Sequence, residues 1–340
     1  MNRGSRRRLG TVILGTLAIG LLFPWPTAAQ ASAHAEDRPG YGHVIPSVPY
    51  EKWVEVNYCG PACLSMVLNY WERKRPFDQK TIAAGVYDDA RQGSNTSEMV
   101  LFPRLHGFAS YSCQGDLETL RAVLRKNIPV IVLTKTPGQG GTGHYRVVIG
   151  FDDRQEIVII HDPAFGAGRI MKVKTFLQSW DLGYGADKSG WMMAVVPEQT
   201  DFPFPALREN PMTHVNLATA YYRRDDFERS KSEWQRVREL SGRDPYPLYS
   251  LGIISLREGR PGEAESYALK ALSLDDKSAY AFDVLGLARA MQGRLSEAFR
   301  DLAQALRLAP KERSIRHHFL QVRTVYIANA GRAKDPDKHD

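Results

Sequence analysis

Cysteine is scarce in this chain, and this scarcity excludes several kinds of site. Only Cys59, Cys63 and Cys113 occur among 340 residues. An odd number of cysteines leaves one thiol unpaired, and the sequence has no Cys-x-x-Cys pair of the kind found in structural zinc sites. If Cys59 is the unpaired thiol, the other two are able to bridge, but we favour core packing for Cys63 because two further cysteines do not make a disulfide framework. We expect no metal and no cofactor.

The net charge of the chain is also small once the N-terminal residues are left out. The net charge of the whole chain is +7, but the first 31 residues hold four arginines and no acidic residue, which leaves +3 for the remainder. No basic stripe with interleaved aromatic residues is present in the sequence. We therefore expect no nucleic-acid partner.

The N-terminal segment has an apolar run that is too short for a confident membrane span. This run, residues 9–23, is shorter than the roughly 20 residues that a span requires. It follows the arginines of residues 3–8 and precedes Ala29-Gln30-Ala31, the order typical of a secretory signal peptide. We predict a cleaved signal at 1–31 and an exported protein, located in a bacterial periplasm. The alternative is an uncleaved segment that anchors the protein in the membrane, and the arginines also fit a twin-arginine signal.

One of the three cysteines stands where a helix is expected to begin. Cys59 is followed by Gly60-Pro61-Ala62 and then by apolar residues at helical spacing. Proline suits the first helical turn, because its missing N–H has no partner there. A thiol at this position lies at the positive end of the helix dipole, which favours the nucleophilic thiolate. The alternative is a small buried residue without chemistry, which is the usual state of a free cysteine.

A predicted β-hairpin further along the chain supplies the partners that a reactive thiol needs. Its arms, residues 143–151 and 157–163, are rich in β-branched residues. If the turn is centred on Asp153, His144 lies opposite Asp162, with Cβ atoms roughly 5 Å apart. The carboxylate then accepts one ring N–H of the histidine, and the other ring nitrogen is left to take the thiol proton. Alternation along the strand places His161 on the other face.

Cys59, His144 and Asp162, in this order, resemble the triad of the papain-like cysteine peptidases, and most closely that of the bacteriocin-processing double-glycine peptidase family. The resemblance covers roughly residues 45–197. The matching segments are Val48-Pro49, Cys59-Gly60-Pro61-Ala62, Gly143-His144-Tyr145, Val147-Val148-Ile149-Gly150 and Asp162-Pro163. The resemblance implies that Cys59 is the nucleophile, His144 the general base and Asp162 the residue that orients the histidine.

The sequence departs from that family at one functional position. The family usually has a glutamine five or six residues before the cysteine, where its side chain donates a hydrogen bond to the oxyanion. Here those positions hold Val54 and Trp53. Asn57 is the nearest side-chain amide and is our candidate substitute, together with the backbone N–H of Cys59. Because loss of an oxyanion donor lowers rates by on the order of a hundredfold or more, a catalytically inactive peptidase-like scaffold is the alternative to an enzyme.

The remaining residues of this segment predict an α+β domain. Helices are expected at 77–91, 97–106 and 116–126, and further strands at 128–133, 169–174 and 191–196. A glycine-rich loop at 137–143 leads to His144, and it lacks the Lys-Ser/Thr ending of a phosphate-binding loop. Helices followed by strands give a mixed domain with a small antiparallel sheet.

After a proline-rich stretch, the sequence repeats with a period of 34 residues. Leu217, Leu251 and Leu285 share one repeat position, and further small residues recur where two helices would cross. This pattern resembles the tetratricopeptide repeat. Three repeats, at 212–245, 246–279 and 280–313, and a capping helix at 314–330 are expected to form an all-α superhelix. The first repeat is degenerate, with Arg224-Asp225-Asp226 where the others have glycine.

Six segments and one function follow from these patterns. The segments are a signal peptide (1–31), a linker (32–47), a papain-like peptidase domain (48–197), a proline-rich linker (198–211), the repeats with their cap (212–330) and a disordered tail (331–340). We expect a cysteine peptidase that cleaves a peptide or protein substrate at a peptide-like amide. The repeats are expected to bind a protein partner on a concave surface, the alternative being that they only pack against the peptidase domain.

Overall fold

The computed structural model describes residues 42–135, 143–180 and 190–334, with side chains as far as residue 328. The predicted signal peptide (1–31), most of the first predicted linker (32–47), most of the glycine-rich loop (137–143) and residues 335–340 lie outside the described residues. Within the described ranges, no helix has both the length and the apolar character needed to cross a membrane.

In the described part of the chain, a seven-stranded antiparallel sheet forms the centre of the first domain. In chain order the strands are β1 (Gly42–Val44), β2 (Tyr87–Asp88), β3 (Gly93–Ser94), β4 (Phe108–Gln114), β5 (Val130–Lys135), β6 (Gly143–Asp152), β7 (Ile157–Asp162), β8 (Gly166–Lys172) and β9 (Trp191–Pro197). The sheet runs β4-β9-β5-β6-β7-β8, with β1 also paired to β6, while β2 and β3 form a separate hairpin. Nearly every residue of β6 and β7 is buried, so polar side chains on these strands are shielded from water.

Helices pack around this sheet. They are α1 (Cys59–Trp71), α2 (Gln79–Val86), α3 (Thr96–Arg104), α4 (Leu117–Leu124) and α5 (Val173–Trp180). Side-chain caps fix two helix starts, because Asp78 accepts the N–H of Thr81 at α2 and Asp116 accepts the N–H of Thr119 at α4. Tyr58, which precedes α1, makes no such bond, so the first N–H groups of α1 keep their hydrogen-bonding capacity.

Several predicted boundaries of this domain are wrong. The helix expected at 77–91 ends at Val86 and is followed by the β2–β3 hairpin, and β4 and α5 have no counterpart in the prediction. The first predicted linker contributes β1 to the sheet. The second predicted linker contains a short helix, α6 (Pro205–Arg208), and its Phe202 stacks on Tyr111 with ring centroids 4.3 Å apart. Apolar side chains hold both segments in the domain core, which a proline- or serine-rich composition does not reveal.

The predicted repeats are three pairs of helices followed by a long helix. The pairs are α7 (Pro211–Arg223) with α8 (Phe227–Ser241), α9 (Tyr246–Arg257) with α10 (Pro261–Leu274), and α11 (Ala279–Met291) with α12 (Leu295–Leu308), and the last helix is α13 (Arg313–Lys334). Leu217, Leu251 and Leu285, at the same repeat position, are each at most 3% exposed. The predicted fold class, an α+β domain followed by an all-α tetratricopeptide-type superhelix, is confirmed. Because α13 extends to Lys334, it is longer than the predicted cap and includes part of the predicted tail.

The degenerate turn of the first repeat keeps the backbone conformation of the other two. Gly259 and Gly293 have φ angles of 71° and 78°, and Asp225, at the equivalent position, has a φ angle of 55°. Aspartate tolerates this left-handed conformation better than most residues. The neighbouring Arg224 donates a hydrogen bond to Glu98 of the first domain at 2.8 Å. The turn that departs from the repeat pattern is therefore also a contact between the domains.

The first repeat packs directly on the peptidase-like domain. Leu217 belongs to the same buried core as the sheet. The hydroxyl of Thr213 accepts the N–H of Ser112 at 2.8 Å and donates to the Ser112 carbonyl at 3.0 Å. Arg223 pairs with Asp88 at 3.1 Å. Packing on the first domain, the alternative role considered for the repeats, thus holds for the first repeat, whereas the later repeats have buried clusters of their own.

Candidate active site

Cys59 is the first residue of α1, as predicted. Its side chain is almost fully enclosed, and the residue is 7% exposed. The N–H groups of Cys59 and Gly60 have no acceptor within the helix, because they belong to its first turn. A Cβ at position 60 would lie 2.5 Å from the Ser94 hydroxyl oxygen, so only glycine fits where β3 approaches the helix. The sulfur therefore lies at the positive end of the helix dipole in a closely packed position.

His144 and Asp162 are hydrogen-bonded, but not through the strand register expected from the sequence. His144 Nε2 lies 2.9 Å from Asp162 Oδ1. The expected register, with these two residues directly opposite, is wrong: the turn is centred on Arg154 and Gln155 rather than on Asp153, so Asp152 pairs with Ile157. Beyond a one-residue bulge, Val147 pairs with His161. Asp162 then lies across from Arg146 and meets His144 diagonally. Diagonal neighbours on one face are roughly 7–8 Å apart, a distance that two such side chains span.

Asp162 is fixed by donors on both carboxylate oxygens. Arg146 Nε donates to Oδ2 at 2.7 Å, and the N–H groups of Ala164 and Phe165 donate to Oδ1 at 3.0 and 3.2 Å. Burial alone would raise the pKa of Asp162, but the hydrogen bond and charge of His144, together with the Arg146 guanidinium, lower the pKa to about 2. The carboxylate is therefore ionised at neutral pH and held in one orientation, as a group that orients a histidine must be.

The ring of His144 connects Asp162 to Cys59. Since Nε2 faces the carboxylate, Nδ1 is the ring nitrogen left for the thiol, and Cys59 is close enough to His144 to affect the pKa of its imidazole. Burial alone would lower the pKa of His144, but the hydrogen bonds to Asp162 and Cys59 and their negative charges raise the pKa to about 9. The imidazole therefore keeps its proton at neutral pH when the sulfur is a thiolate. That charge pair is the state in which a cysteine is nucleophilic.

The other two cysteines lie in different surroundings. Cys63 and Cys113 are buried, with 0% and 3% exposure, and neither forms a disulfide. Burial raises the pKa of Cys63 well above its ordinary value and the pKa of Cys113 to about 12. The interpretation of Cys63 as a core residue is confirmed.

His161 faces the other side of β7, as predicted. Its Nε2 lies 3.1 Å from the Val48 carbonyl, and its Nδ1 accepts the N–H of Gly168 at 3.0 Å. A neutral imidazole satisfies both bonds, and burial lowers the pKa of His161 accordingly. This histidine ties the segment before Cys59 to β8. In the described part of the chain, no group of three or more His, Cys, Asp or Glu side chains is arranged to hold a metal ion.

Aromatic rings border His144. Trp53 lies edge-on to the imidazole with ring centroids 5.9 Å apart, and Phe165 lies at 6.4 Å. The backbone N–H of Trp53 donates to the Pro163 carbonyl at 3.1 Å, which holds the indole in place. Phe165 is 58% exposed, so the site is open to solvent on that side. Trp53 occupies one of the two positions where the family has its glutamine, and here it covers the histidine instead.

Among the residues that the structure describes, we find no glutamine in the role of the missing oxyanion donor. Asn57 is exposed, and it has a φ angle of 68°. Gln79 has a structural role, since its Nε2 donates to the Lys52 carbonyl at 2.8 Å and its Oε1 accepts the N–H of Val54 at 3.1 Å. These bonds fix the segment that leads to the cysteine. In the sequence, the hydrogen-bond donors nearest to the Cys59 sulfur are the backbone N–H groups at the start of α1.

Sequence reasoning missed two residues that support the histidine–aspartate pair. Arg146 donates through Nη1 to the hydroxyl of Thr134, and that hydroxyl donates to the His144 carbonyl at 3.0 Å. Arg146 is 2% exposed. A signal for it is present in the sequence: it is the one cation within an apolar strand, and it lies two residues from His144 and thus on the same face. Because a buried charge needs a partner, this placement points to a carboxylate nearby.

Comparisons with known proteins agree with this geometry. Residues 45–186 match the Peptidase_C39 like family. No curated protein matches the chain.

Among solved structures, the chain is similar to domains built of tetratricopeptide repeats. The Arabidopsis OM64 TPR domain is 22% identical over 34% of this chain and 96% of that one, with a TM-score of 0.31. The second TPR domain of human RPAP3, solved with an HSP70 peptide, is 21% identical over 33% of this chain and 94% of that one, with a TM-score of 0.31. The Sgt2 TPR domain from Aspergillus fumigatus is 17% identical over 38% and 87%, with a TM-score of 0.35.

The repeat assignment itself rests on the paired helices and their buried positions, which follow the 34-residue period of the sequence. Residues 45–186 thus form a Peptidase_C39-like domain, and the helices that follow are tetratricopeptide-type repeats.

Proposed function

We propose that this protein is an exported cysteine peptidase that cleaves a peptide or peptide-like amide with Cys59, His144 and Asp162. The observation that carries the proposal is the 2.9 Å contact of His144 Nε2 with an ionised Asp162, beside Cys59 at the start of α1. A nucleophile, a base and an orienting carboxylate in mutual contact are what acyl transfer requires.

The proposed reaction uses each of these groups in turn. The Cys59 thiolate attacks the substrate carbonyl carbon, and the backbone N–H groups that begin α1 stabilise the oxyanion. The His144 imidazolium then gives its proton to the leaving amine, which leaves a thioester on Cys59. Water, deprotonated by His144, attacks that thioester and releases the acid, while Asp162 keeps the ring oriented and stabilises its charged form.

The repeats are proposed to bind the protein partner or substrate, and the N-terminal residues to direct export. The described helices present a groove between α7, α9 and α11 on which such a partner could dock. The arginines of residues 3–8 and the apolar run 9–23 support export. Sequencing the N-terminus of protein recovered from the periplasm tests this part. A start just after the Ala29-Gln30-Ala31 site supports a cleaved signal, and a start at Met1 contradicts it.

The alternative function is a peptidase-like scaffold that binds a segment without cutting it. The observation that favours it is the pair Trp53 and Val54 where the family has glutamine. The intact and connected triad favours the enzyme, since a binding domain has no physical need for an ionised aspartate behind a histidine.

A biotinylated peptidyl vinyl sulfone tests whether Cys59 is an activated nucleophile. The unaltered protein should be labelled at Cys59 at neutral pH, and the Cys59→Ser and His144→Ala variants should not be labelled. Cys113→Ser is the matched control, because it removes a thiol that lies in the core. Circular dichroism verifies that each variant is folded. Labelling of His144→Ala at the rate of the unaltered protein would show that the histidine does not activate the thiol.

A further inference from the structure

A groove on the repeats is lined by aromatic rings from consecutive repeats. Trp234, Tyr246, Tyr249 and Tyr280 follow one another with successive ring-centroid distances of 4.9, 5.2 and 5.5 Å. Together with Tyr222 they border a cavity of about 400 Å³ between α7, α9 and α11. Tyr280 is 43% exposed, so the groove is open to solvent at that end. Trp234 is buried in the core of the first repeat, and Tyr246 and Tyr249 pack against the repeat cores, so Tyr280 is the ring of this row that is exposed.

The charged groups hydrogen-bonded to Tyr246 and Tyr280 are acidic. Glu312 accepts a hydrogen bond from the Tyr280 hydroxyl at 3.2 Å, and Asp244 accepts the Tyr246 N–H at 2.9 Å. Burial, followed by the charge of Asp244, raises the pKa of Tyr246. Burial, followed by Glu312 and Asp283, raises the pKa of Tyr280. The rings therefore stay neutral, and their electron-rich faces lie in a negative field.

One guanidinium already lies on a ring at the edge of the groove. The Arg257 guanidinium lies 5.5 Å from the centre of Tyr222. It is paired with Asp225 at 2.8 Å, so its charge is balanced within the protein. The rings of Tyr249 and Tyr280 are stacked at 25° and have no such cation among the contacts of the described residues.

We propose that this aromatic groove, defined by Trp234, Tyr246, Tyr249 and Tyr280, binds an extended peptide segment through an arginine side chain. A planar guanidinium stacks on aromatic faces and is attracted by the ring quadrupole. The acidic groups at the rim complement its charge and disfavour acidic segments. The proposal rests on the proposed role of the repeats and adds the chemistry of their partner.

Two matched peptides test the proposal. Fluorescein-labelled Gly-Ser-Leu-Arg-Leu-Ser-Gly is compared with the same peptide carrying citrulline, the neutral isostere of arginine, by fluorescence anisotropy on the full protein. The arginine peptide should bind about fivefold or more tightly than the citrulline peptide, and the difference should shrink at high salt. A peptide with glutamate at the same position should bind more weakly than either.

Variants assign the effect to the groove. Tyr280→Ala removes an exposed ring and should lower affinity for the arginine peptide, whereas Tyr249→Phe keeps a ring and should retain it. Glu312→Gln should weaken binding of the arginine peptide only. Tyr326→Ala is the matched control, because Tyr326 stacks on Phe299, away from the groove.

The outcomes separate this proposal from the proposed function. Equal binding of the arginine and citrulline peptides overturns the cation preference but leaves peptide binding by the repeats in place. Binding of no peptide by the folded protein overturns both the preference and the use of this groove. Neither result affects labelling of Cys59, which has its own readout.

Discussion

Replacing Arg146 with methionine should destabilise the protein far more than the loss of an ordinary ion pair. Arg146 and Asp162 are 3% and 2% exposed at their side chains, and the Nε–Oδ2 distance is 2.7 Å. Removing one partner of a buried pair costs about 3–5 kcal/mol, because the other charge is left without compensation. His144 and two backbone N–H groups still face Asp162, so we expect the lower end, about 3 kcal/mol.

A second arginine–aspartate pair provides the matched control. Arg121 and Asp153 are 2.6 Å apart but 26% and 30% exposed. Both side chains are partly exposed, and Asp153 also pairs with Arg125 at 3.7 Å. Ion pairs near the surface contribute about 0–1 kcal/mol, so Arg121→Met should have a small effect. Both variants are measured by urea unfolding followed by tryptophan fluorescence at pH 7.

The pH dependence of the Arg146→Met effect tests its cause. Because the pKa of Asp162 is lowered to about 2, its interactions stabilise the protein above the unfolded-state pKa of roughly 3.9 and lose this effect as the pH falls through about 2. The difference between the unaltered protein and Arg146→Met should therefore narrow between pH 5 and pH 2.5. A loss no larger than that of Arg121→Met, or one independent of pH, would refute the role assigned to Arg146.

Two further predictions concern the thiols and the domain contact. Iodoacetamide at pH 7 should modify Cys59 at least about tenfold faster than Cys63 or Cys113, because burial raises the pKa of both other thiols. The labelling is read by peptide mass spectrometry. Equal slow labelling of all three cysteines would contradict the activation of Cys59. Arg224→Ala breaks the 2.8 Å bond to Glu98, whose side chain is 10% exposed. This substitution should lower the free energy of unfolding by about 1–2 kcal/mol. An unchanged free energy in denaturant unfolding would show that this bond does not stabilise the domain contact.

The sequence predicted the parts of the fold that depend on local pattern. The start of α1 at Cys59 follows from proline in a first turn and apolar residues at helical spacing. The repeats follow from a period that needs no knowledge of tertiary contacts. Strand β4 was not predictable in this way, because Ser110 and Ser112 are buried on it. The Ser110 hydroxyl bonds with Val100 and Arg104, and the Ser112 hydroxyl accepts from Asn216, so buried serines stand where an alternating strand would have apolar residues.

In the candidate site too, local sequence patterns predicted some features, whereas features that depend on tertiary contacts were not predicted. The pairing of His144 with Asp162 was reached from a hairpin register that is wrong, and the contact survives because a diagonal neighbour on the same face is also within reach. The sequence does not reveal where the turn is centred, and the observed turn is centred on Arg154 and Gln155 rather than on Asp153. The support from Thr134 depends on which strand lies beside β6, and the order of strands in the sheet was not part of the prediction.

Peptide cleavage measured by mass spectrometry tests the central claim most directly. The protein without its first 31 residues is incubated with a library of peptides from a digested proteome, and new termini are compared with those made by Cys59→Ala. The Cys59–His144–Asp162 arrangement predicts products that form with the unaltered protein, disappear in Cys59→Ala and persist in the core control Cys113→Ser. Identical product profiles for the unaltered protein and Cys59→Ala, despite a folded site, would contradict the peptidase and favour the scaffold.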